Sequence, residues 1–225
     1  MKKLLFLFFI SLITAGLASA EGDHSGVGFQ EERLAPLTDF RNYSQLYISG
    51  IDLREMRVKM IDTDGDAREI SVDDDTSAGI AFDLNKAFSE EISKVLPVAE
   101  PEGKLSGLKA LKGQNVIVLD VKLTYERAIE EVGTLDRLLL RKDETMVSDK
   151  GLTIECVFRD ADSGKALLKL SQTVAFDIED NERPFAGDKD KEELGKLIKI
   201  WASRTGRILA KQRGVEYASG DKKDE

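Results

Sequence analysis

The clearest alternation of apolar and polar positions lies in residues 151–176. Its apolar positions form two runs with a spacing of two residues, broken only by the polar Gln172: Leu152, Ile154, Cys156 and Phe158, then Ala166, Leu168, Leu170, Val174 and Phe176. Side chains in a strand alternate between the two faces of a sheet, so each run predicts a strand with one buried face. Between the runs, residues 160–165 contain the Asp, Ser and Gly that form tight turns. The stretch therefore predicts a β-hairpin in the middle of a sheet.

Three further stretches also alternate like strands. Residues 114–126 place five apolar side chains on one face without interruption. In residues 44–53 the alternation changes parity at Gly50, which predicts a β-bulge there. Residues 54–72 predict a second, peripheral hairpin, because an Asp-Gly pair separates two short alternating runs.

Two segments instead carry apolar residues at helical spacing. Residues 75–96 predict a helix that Asp75 or Thr76 would cap, and residues 189–214 predict a helix whose buried stripe includes Trp201. The second helix is acidic at its start and basic at its end, an order that opposes the helix dipole favourably. Together these elements predict an α+β fold, in which an antiparallel sheet has two main amphipathic helices packed on one face.

Residues 127–150 leave two interpretations open. Their apolar spacing fits a helix interrupted at Gly133, and it fits a loop equally well. As a loop, the segment would expose an apolar patch at Leu138, Leu139 and Leu140, and such patches mark partner surfaces. Ordinary packing of these leucines is the simpler alternative. Phe82 lies off the stripe of its helix and is the other candidate for a partner surface.

The first 20 residues have the pattern of a secretory signal peptide. Two lysines precede an apolar run over residues 4–17, and the small residues of 18–20 follow. The run is shorter than the ~20 residues that span a bilayer. We expect cleavage after Ala20, export to the periplasm of a Gram-negative cell and no transmembrane span in the mature chain. We further expect a flexible leader at 21–42, a single α+β domain at 43–214 and a charged tail at 215–225.

Composition excludes several chemistries. The net charge is −9, so the chain has no electrostatic reason to bind nucleic acid. The single histidine, His24, lies in the expected leader, and the single cysteine, Cys156, lies on an apolar strand face. Ser-His-Asp and Cys-His catalysis and most zinc sites need a positioned imidazole. We therefore expect neither these catalytic classes nor a bound cofactor.

Two groups of carboxylates are candidates for chemical sites. Asp62, Asp64 and Asp66 have the spacing of the first calcium ligands of an EF-hand, but the loop lacks that motif's glycine and final glutamate. Asp120 and Glu155 would lie on the polar face of neighbouring strands, where a carboxylate-dependent hydrolase could use them as an acid–base pair. Turn formation and a solvated sheet face are the simpler interpretations.

The order strand, helix, strand, followed by Gly151-x-x-Ile154-Glu155 and residues 160–164, resembles a proteobacterial envelope family. The family is domain of unknown function thirty-three thirteen, and Trp201 in the final helix is also similar to it. The resemblance spans residues 43–214. It implies an antiparallel sheet with helices on one face and supplies no catalytic residues. Its members are commonly lipoproteins, whereas this chain has no cysteine near residue 20 to carry a lipid.

Taken together, the sequence predicts a non-catalytic periplasmic domain that binds a protein or another envelope component. One alternative is a small-molecule or lipid carrier, with a cavity between the sheet and the helices. The other alternative is the carboxylate-dependent hydrolase. The sequence indicates neither the identity of the partner nor an oligomeric state.

Overall fold

A computed structural model describes residues 28–62, 64–99, 111, 113–131 and 145–218 of the chain. Within these residues, six strands and two α-helices follow one another. They are β1 (Gln30–Arg33), β2 (Gln45–Ile61), β3 (Ala67–Ser71), α1 (Asp74–Ser93), β4 (Val116–Glu131), β5 (Thr145–Asp160), β6 (Ala166–Val174) and α2 (Asp188–Arg213). A short 3-10 turn at Phe40–Asn42 precedes β2.

The strands form one sheet in the order β1-β6-β5-β4-β2-β3. All neighbours are antiparallel except β2 and β4, which are parallel. Parallel neighbours need a crossover connection, and α1 lies in the segment that returns the chain from the end of β3 to the start of β4. The predicted α+β fold, with two helices packed on one face of a mostly antiparallel sheet, is confirmed.

Large apolar side chains fill the space between the sheet and the helices. Trp201, Tyr125, Phe88 and Phe158 are each 0% exposed. Cys156 is also fully buried, and burial raises the pKa of its thiol because the thiolate would be desolvated. Gln172, the one polar residue on the inner face of β6, accepts a hydrogen bond from Nη1 of Arg204 at 3.1 Å. The inner face of β6 is therefore apolar apart from one amide, and the oxygen of that amide has a hydrogen-bond partner.

The hairpin that the sequence predicts most clearly is present as β5 and β6, with Cys156 opposite Leu170. The carboxylate of Asp160 accepts the N–H of Ser163 at 2.7 Å, and the N–H of Gly164 donates to the carbonyl of Asp160 at 2.8 Å. Asp160 also accepts a hydrogen bond from the hydroxyl of Tyr43 at 3.1 Å. Partial burial opposes ionisation of Asp160, but the hydrogen bonds that its carboxylate accepts from Ser163 and Tyr43 outweigh burial and lower its pKa. The aspartate thus shapes the turn, as its position indicates.

Residues 54–72 form the predicted peripheral hairpin, in which β3 pairs with the end of β2 at the edge of the sheet. The separation of this hairpin from the core strand at residues 44–53 was wrong. β2 is one strand of 17 residues that pairs with β4 along its length and with β3 near its end. Its pairing with β4 shifts register at Gly50, as predicted, and again between Asp52 and Glu55. Each of the two bulges inserts one residue and reverses which positions face the core. The apolar pattern of this single bent strand therefore looks like that of two separate strands.

Both interpretations of residues 127–150 were wrong where the structure describes them. β4 continues to Glu131 and β5 begins at Thr145, so residues 127–131 and 145–150 are strand. A register shift between Tyr125 and Arg127 interrupts the alternation and hides the strand in the sequence. Leu138, Leu139 and Leu140 lie outside the described residues.

The start of α1 also differs from the prediction. The helix begins at Asp74, and its N-cap is Asp73, rather than Asp75 or Thr76. One carboxylate oxygen of Asp73 accepts the N–H of Thr76 and the other accepts its hydroxyl, each at 2.8 Å. These hydrogen bonds lower the pKa of Asp73 because they favour its ionised form.

The expected boundary at Tyr43 does not separate a leader from the domain. β1 pairs with β6, and Phe40 is 0% exposed within the core. Nη1 of Arg213, at the end of α2, donates to the carbonyls of Phe40 at 2.9 Å and Tyr43 at 2.8 Å. The segment before β2 is thus tied to the last helix. Residues 1–27 and 219–225 lie outside the described residues, so the signal peptide, its cleavage and the rest of the tail stay predictions.

Substitution of Gly151 by Ala tests the close approach between the backbones of Gly151 and Val174 in the β5–β6 hairpin. Gly151 has a φ of +79°, and a Cβ there would lie 2.5 Å from the carbonyl oxygen of Val174. Gly164 has a φ of +68° with nothing within 4 Å of its Cβ position. We expect Gly164→Ala to cost about 1–2 kcal/mol in the free energy of unfolding, from the left-handed conformation alone. Gly151→Ala should cost about 3 kcal/mol or more, because a backbone atom blocks the side chain.

Urea unfolding of the two variants beside the parent protein provides the measurement. Equal losses for Gly151→Ala and Gly164→Ala would show that the strand contact at Val174 does not constrain the hairpin.

Candidate functional site

The sheet face opposite the helices carries a hollow of about 570 Å³, here called the open-face hollow. It lies over the bulged part of β2 and the adjoining parts of β4 and β5. Its lining comprises Ser49, Gly50, Ile51, Asp52, Leu53, Arg54, Asp120, Val121, Lys122, Glu155, Val157 and Arg159. The bulge at Gly50 bends β2 at the rim of the hollow.

Every carboxylate in the open-face hollow lies in an ion pair. The pairs are Asp52–Arg54 and Asp120–Arg159 at 2.7 Å, and Glu155–Lys169 at 2.6 Å. Hydrogen bonds from the side chain and the backbone of Arg54 lower the pKa of Asp52 to about 2. The hollow is therefore a charge-balanced, hydrated surface.

Asp120 and Glu155 do share the polar face of neighbouring strands, where the sequence places them. Asp120 lies opposite Val157, and Glu155 lies opposite Lys122, so the two carboxylates are diagonal neighbours. An acid–base pair needs one carboxyl in an apolar enclosure that keeps its proton. The side chains of Asp120 and Glu155 are instead 42% and 35% exposed and contact cations. Their surroundings give the hydrolase interpretation no support.

Asp62, Asp64 and Asp66 occupy the turn between β2 and β3. One carboxylate oxygen of Asp62 accepts the N–H groups of Asp64 at 3.0 Å and Asp66 at 2.9 Å. This oxygen shapes the turn, as an aspartate at such a position commonly does. Among the residues that the structure describes, no three His, Cys, Asp or Glu side chains converge as a metal site requires.

A second concave surface lies between the two helices on the outer side of the molecule. This α1–α2 groove has a volume of about 310 Å³. Its lining comprises Asp75, Thr76, Gly79, Ile80, Asp83, Lys191, Leu194, Gly195 and Ile198. Ile80, Leu194 and Ile198 are 6%, 2% and 2% exposed, so they form an apolar floor that belongs to the core. The groove is thus a hollow whose floor consists of nearly buried core side chains and whose walls are polar.

The groove results from the way in which the helices cross. Residues 75–83 of α1 face residues 191–198 of α2, and further along, Glu91 faces Gly206. The helices therefore run parallel. At the far end a Cβ on Gly206 would lie 3.2 Å from the carbonyl oxygen of Glu91, so the helices are close there. At Gly79 and at Gly195 nothing lies within 4 Å of the Cβ position, so the helices leave open space there.

The C-terminal segment closes the narrow end of the helix pair. The hydroxyl of Tyr217 donates to the carboxylate of Glu91, and its ring lies 5.7 Å from Nζ of Lys94. A Cβ on Gly206 would also lie 2.9 Å from that ring. Burial raises the pKa of the Tyr217 hydroxyl, and the bond to Glu91 acts in the same direction. None of residues 214–218, the part of this segment that the structure describes, lines the groove at the other end of the helix pair.

Unpaired charges stand at the rim of the groove. Asp75 and Asp83 project from α1, and Lys191 projects from α2. None of the three forms an ion pair with any residue in the described part of the chain. This contrasts with the open-face hollow, where each carboxylate contacts a cation.

Phe82 is 67% exposed, as its position off the helical stripe predicts. It follows Gly79 by three residues, which places it about 60° short of a full turn round α1 and about 4.5 Å along the helix. Phe82 therefore lies beside the groove on the same exposed helical layer. Sequence reasoning found Phe82 but missed Gly79 and Gly195. The signal was present, because a glycine inside a helical pattern usually has a packing or functional reason.

The chain matches no protein-family model and no curated protein. Solved structures that the chain matches include a protein of Helicobacter pylori described as a neuraminyllactose-binding hemagglutinin homolog. It is 12% identical with a TM-score of 0.43, and the match covers 77% of this chain and 89% of that one. Another is the PelC dodecamer of Paraburkholderia phytofirmans, at 11% identity and a TM-score of 0.37, covering 78% of this chain and 94% of that one. No helix in the part of the chain that the structure describes is long and apolar enough to cross a bilayer.

Alanine substitution of the helical glycines tests whether the groove is open. We expect Gly79→Ala and Gly195→Ala each to raise the free energy of unfolding by about 0.8–1 kcal/mol, because alanine favours helix and meets no neighbour at either position. Gly206→Ala is the matched control. It should lower the free energy of unfolding by about 1 kcal/mol or more, because its Cβ would meet Tyr217 and Glu91.

Chemical denaturation of the three variants distinguishes the positions. A loss of stability in Gly79→Ala or Gly195→Ala would contradict the open groove, since it would reveal a close contact at that glycine.

Proposed function

We propose that this protein is a non-catalytic periplasmic domain that binds a protein partner of the cell envelope through the α1–α2 groove and the adjacent Phe82. The observation that carries the proposal is the open space beside Gly79 and Gly195. Each glycine disfavours its helix by about 0.8–1 kcal/mol relative to alanine. Neither glycine allows a close contact between the helices, so no packing contact within the fold offsets this cost. A bound side chain that needs the space accounts for both.

The shape of the surface also supports binding of a partner protein. A groove of about 310 Å³ is at the small end of ligand sites and fits one or two side chains. Phe82 beside it supplies an exposed aromatic ring, and aromatic anchors are enriched at interfaces. A partner could insert a side chain into the groove and at the same time receive the ring of Phe82 in a pocket of its own.

Neither alternative function has comparable support. The hydrolase would use Asp120 and Glu155, which contact Arg159 and Lys169 in an exposed hollow. The carrier would need space between the sheet and the helices, where Trp201, Phe88 and other large side chains are packed. The periplasmic location is supported by the signal-peptide pattern of residues 1–20 and by the resemblance to an envelope family.

Photo-crosslinking in intact cells tests the proposed surface. Position 82 would carry p-benzoyl-phenylalanine in place of Phe82, and position 59 would carry it in place of Lys59, an exposed residue of β2 on the opposite sheet face. We expect a discrete protein adduct from position 82 and none from position 59, because the partner contacts only the helical layer.

Filling the groove provides the control. Gly195→Leu places a side chain in the open space, so we expect it to remove the adduct at position 82 while the protein stays folded. The same adducts from both positions, or an adduct at position 82 that Gly195→Leu leaves intact, would contradict a partner site at the groove.

Export is tested separately by fractionation of cells that produce the full chain. We expect the protein in the periplasmic fraction with Glu21 as its first residue, as intact-mass measurement would show, because the pattern ends at Ala20. A protein that retains residues 1–20, or that stays in the cytoplasm, would contradict the predicted location.

A further inference from the structure

We infer that the partner segment that enters the α1–α2 groove is basic and carries a bulky apolar side chain, which contacts the groove floor while its cations contact the acidic rim. The inference rests on the proposed function and specifies the chemistry of the partner.

The floor of the groove determines the first half of this chemistry. Ile80, Leu194 and Ile198 offer only apolar atoms below the rim. A polar side chain that entered would lose its hydration without gaining a hydrogen bond, which costs free energy. A bulky apolar side chain has no hydrogen bonds to lose there, and its own apolar surface is removed from water. Binding energy at interfaces is concentrated in such anchored side chains.

The rim determines the second half. Asp75 and Asp83 outnumber Lys191 there, and none of the three has an ion-pair partner among the described residues. The starts of α1 and α2 lie toward this end, and their dipoles alone would favour an anion. Asp75 and Asp83 are exposed lining residues of the groove, so the cations of an approaching ligand can reach their carboxylates. Lys or Arg beside the anchor would supply the missing partners.

The charge of the whole chain disfavours a second copy as the occupant. The net charge is −9, so two copies repel each other on approach. The same charge attracts a basic segment and raises its rate of encounter. A basic partner therefore suits both the rim and the whole molecule, whereas repulsion between two acidic chains disfavours a second copy.

Three capped hexapeptides test this chemistry on the exported protein labelled with ¹⁵N. The probe is Lys-Lys-Phe-Leu-Lys-Lys. The controls are Glu-Glu-Phe-Leu-Glu-Glu, which reverses the charge, and Lys-Lys-Ala-Ala-Lys-Lys, which removes the anchor. We expect saturable shifts of the Gly79 and Gly195 amide signals with the probe alone. The shifts should disappear in Gly195→Leu, where a side chain fills the groove.

Charge removal at the rim gives the second measurement. The double variant Asp75→Asn with Asp83→Asn should bind the probe about fivefold more weakly, since two exposed ion pairs are lost. Asp64→Asn, an exposed aspartate in the β2–β3 turn, should leave the affinity unchanged.

The outcomes separate the inference from the proposed function. Equal binding of either control peptide, shifts confined to other residues, or no binding of the probe would overturn the inferred chemistry. The adduct at position 82, if it depends on Gly195, would still support a partner site of different chemistry. A rise of the average molecular mass from monomer toward dimer with increasing protein concentration would identify a second copy as the occupant, if Gly195→Leu abolished that rise. This result would also overturn the inference.

Discussion

Burial of the apolar face of the sheet under two helices is the constraint on which the rest of the structure depends. The inner faces of β4, β5 and β6 consist almost wholly of apolar side chains, and helices α1 and α2 exclude water from them. Trp201 and Phe88 extend from the helices into this layer and are fully buried. Because the helices cover one face, the other is left to polar side chains, and the two faces have different chemistry.

Two helices over one sheet cannot make close contact along their whole length without small residues or a matched crossing. In this protein α1 and α2 approach at Gly206, where the backbone of Glu91 and the ring of Tyr217 leave no room for a side chain. Toward their starts they separate, and Gly79 and Gly195 leave the separation unfilled. Glycine thus has opposite roles at the two ends of the helix pair. At Gly206 it allows the helices to approach closely, and at Gly79 and Gly195 it leaves the space between them empty.

The two concave surfaces differ in how their charges are arranged. On the open sheet face, Asp120, Glu155 and Asp52 each contact a cation on the same face, so the surface is electrostatically complete. At the groove, Asp75 and Asp83 have no such partner within the described residues, and apolar atoms lie beneath them. A polar rim around an apolar centre is also the arrangement typical of protein interfaces. A surface whose charges are already paired gains less from a partner.

Alternation and helical spacing by themselves determine much of this protein. The hairpin of β5 and β6, the bulge at Gly50, the burial of Cys156 and the exposure of Phe82 all follow from where apolar residues fall along a strand or a helix. They are local consequences of side-chain direction, which repeats every two residues in one element and every 3.6 in the other.

Only the tertiary structure decides the features that depend on residues far apart in the chain. The parallel pairing of β2 with β4 and the continuity of β2 through two bulges arise from a neighbouring strand, because it fixes a register that local parity does not reveal. Gly79 and Gly195 lie in different helices, and nothing local distinguishes them from Gly206. Whether a helical glycine closes a contact or leaves a groove depends on the distance to the partner helix, which the packing of both helices on the sheet determines.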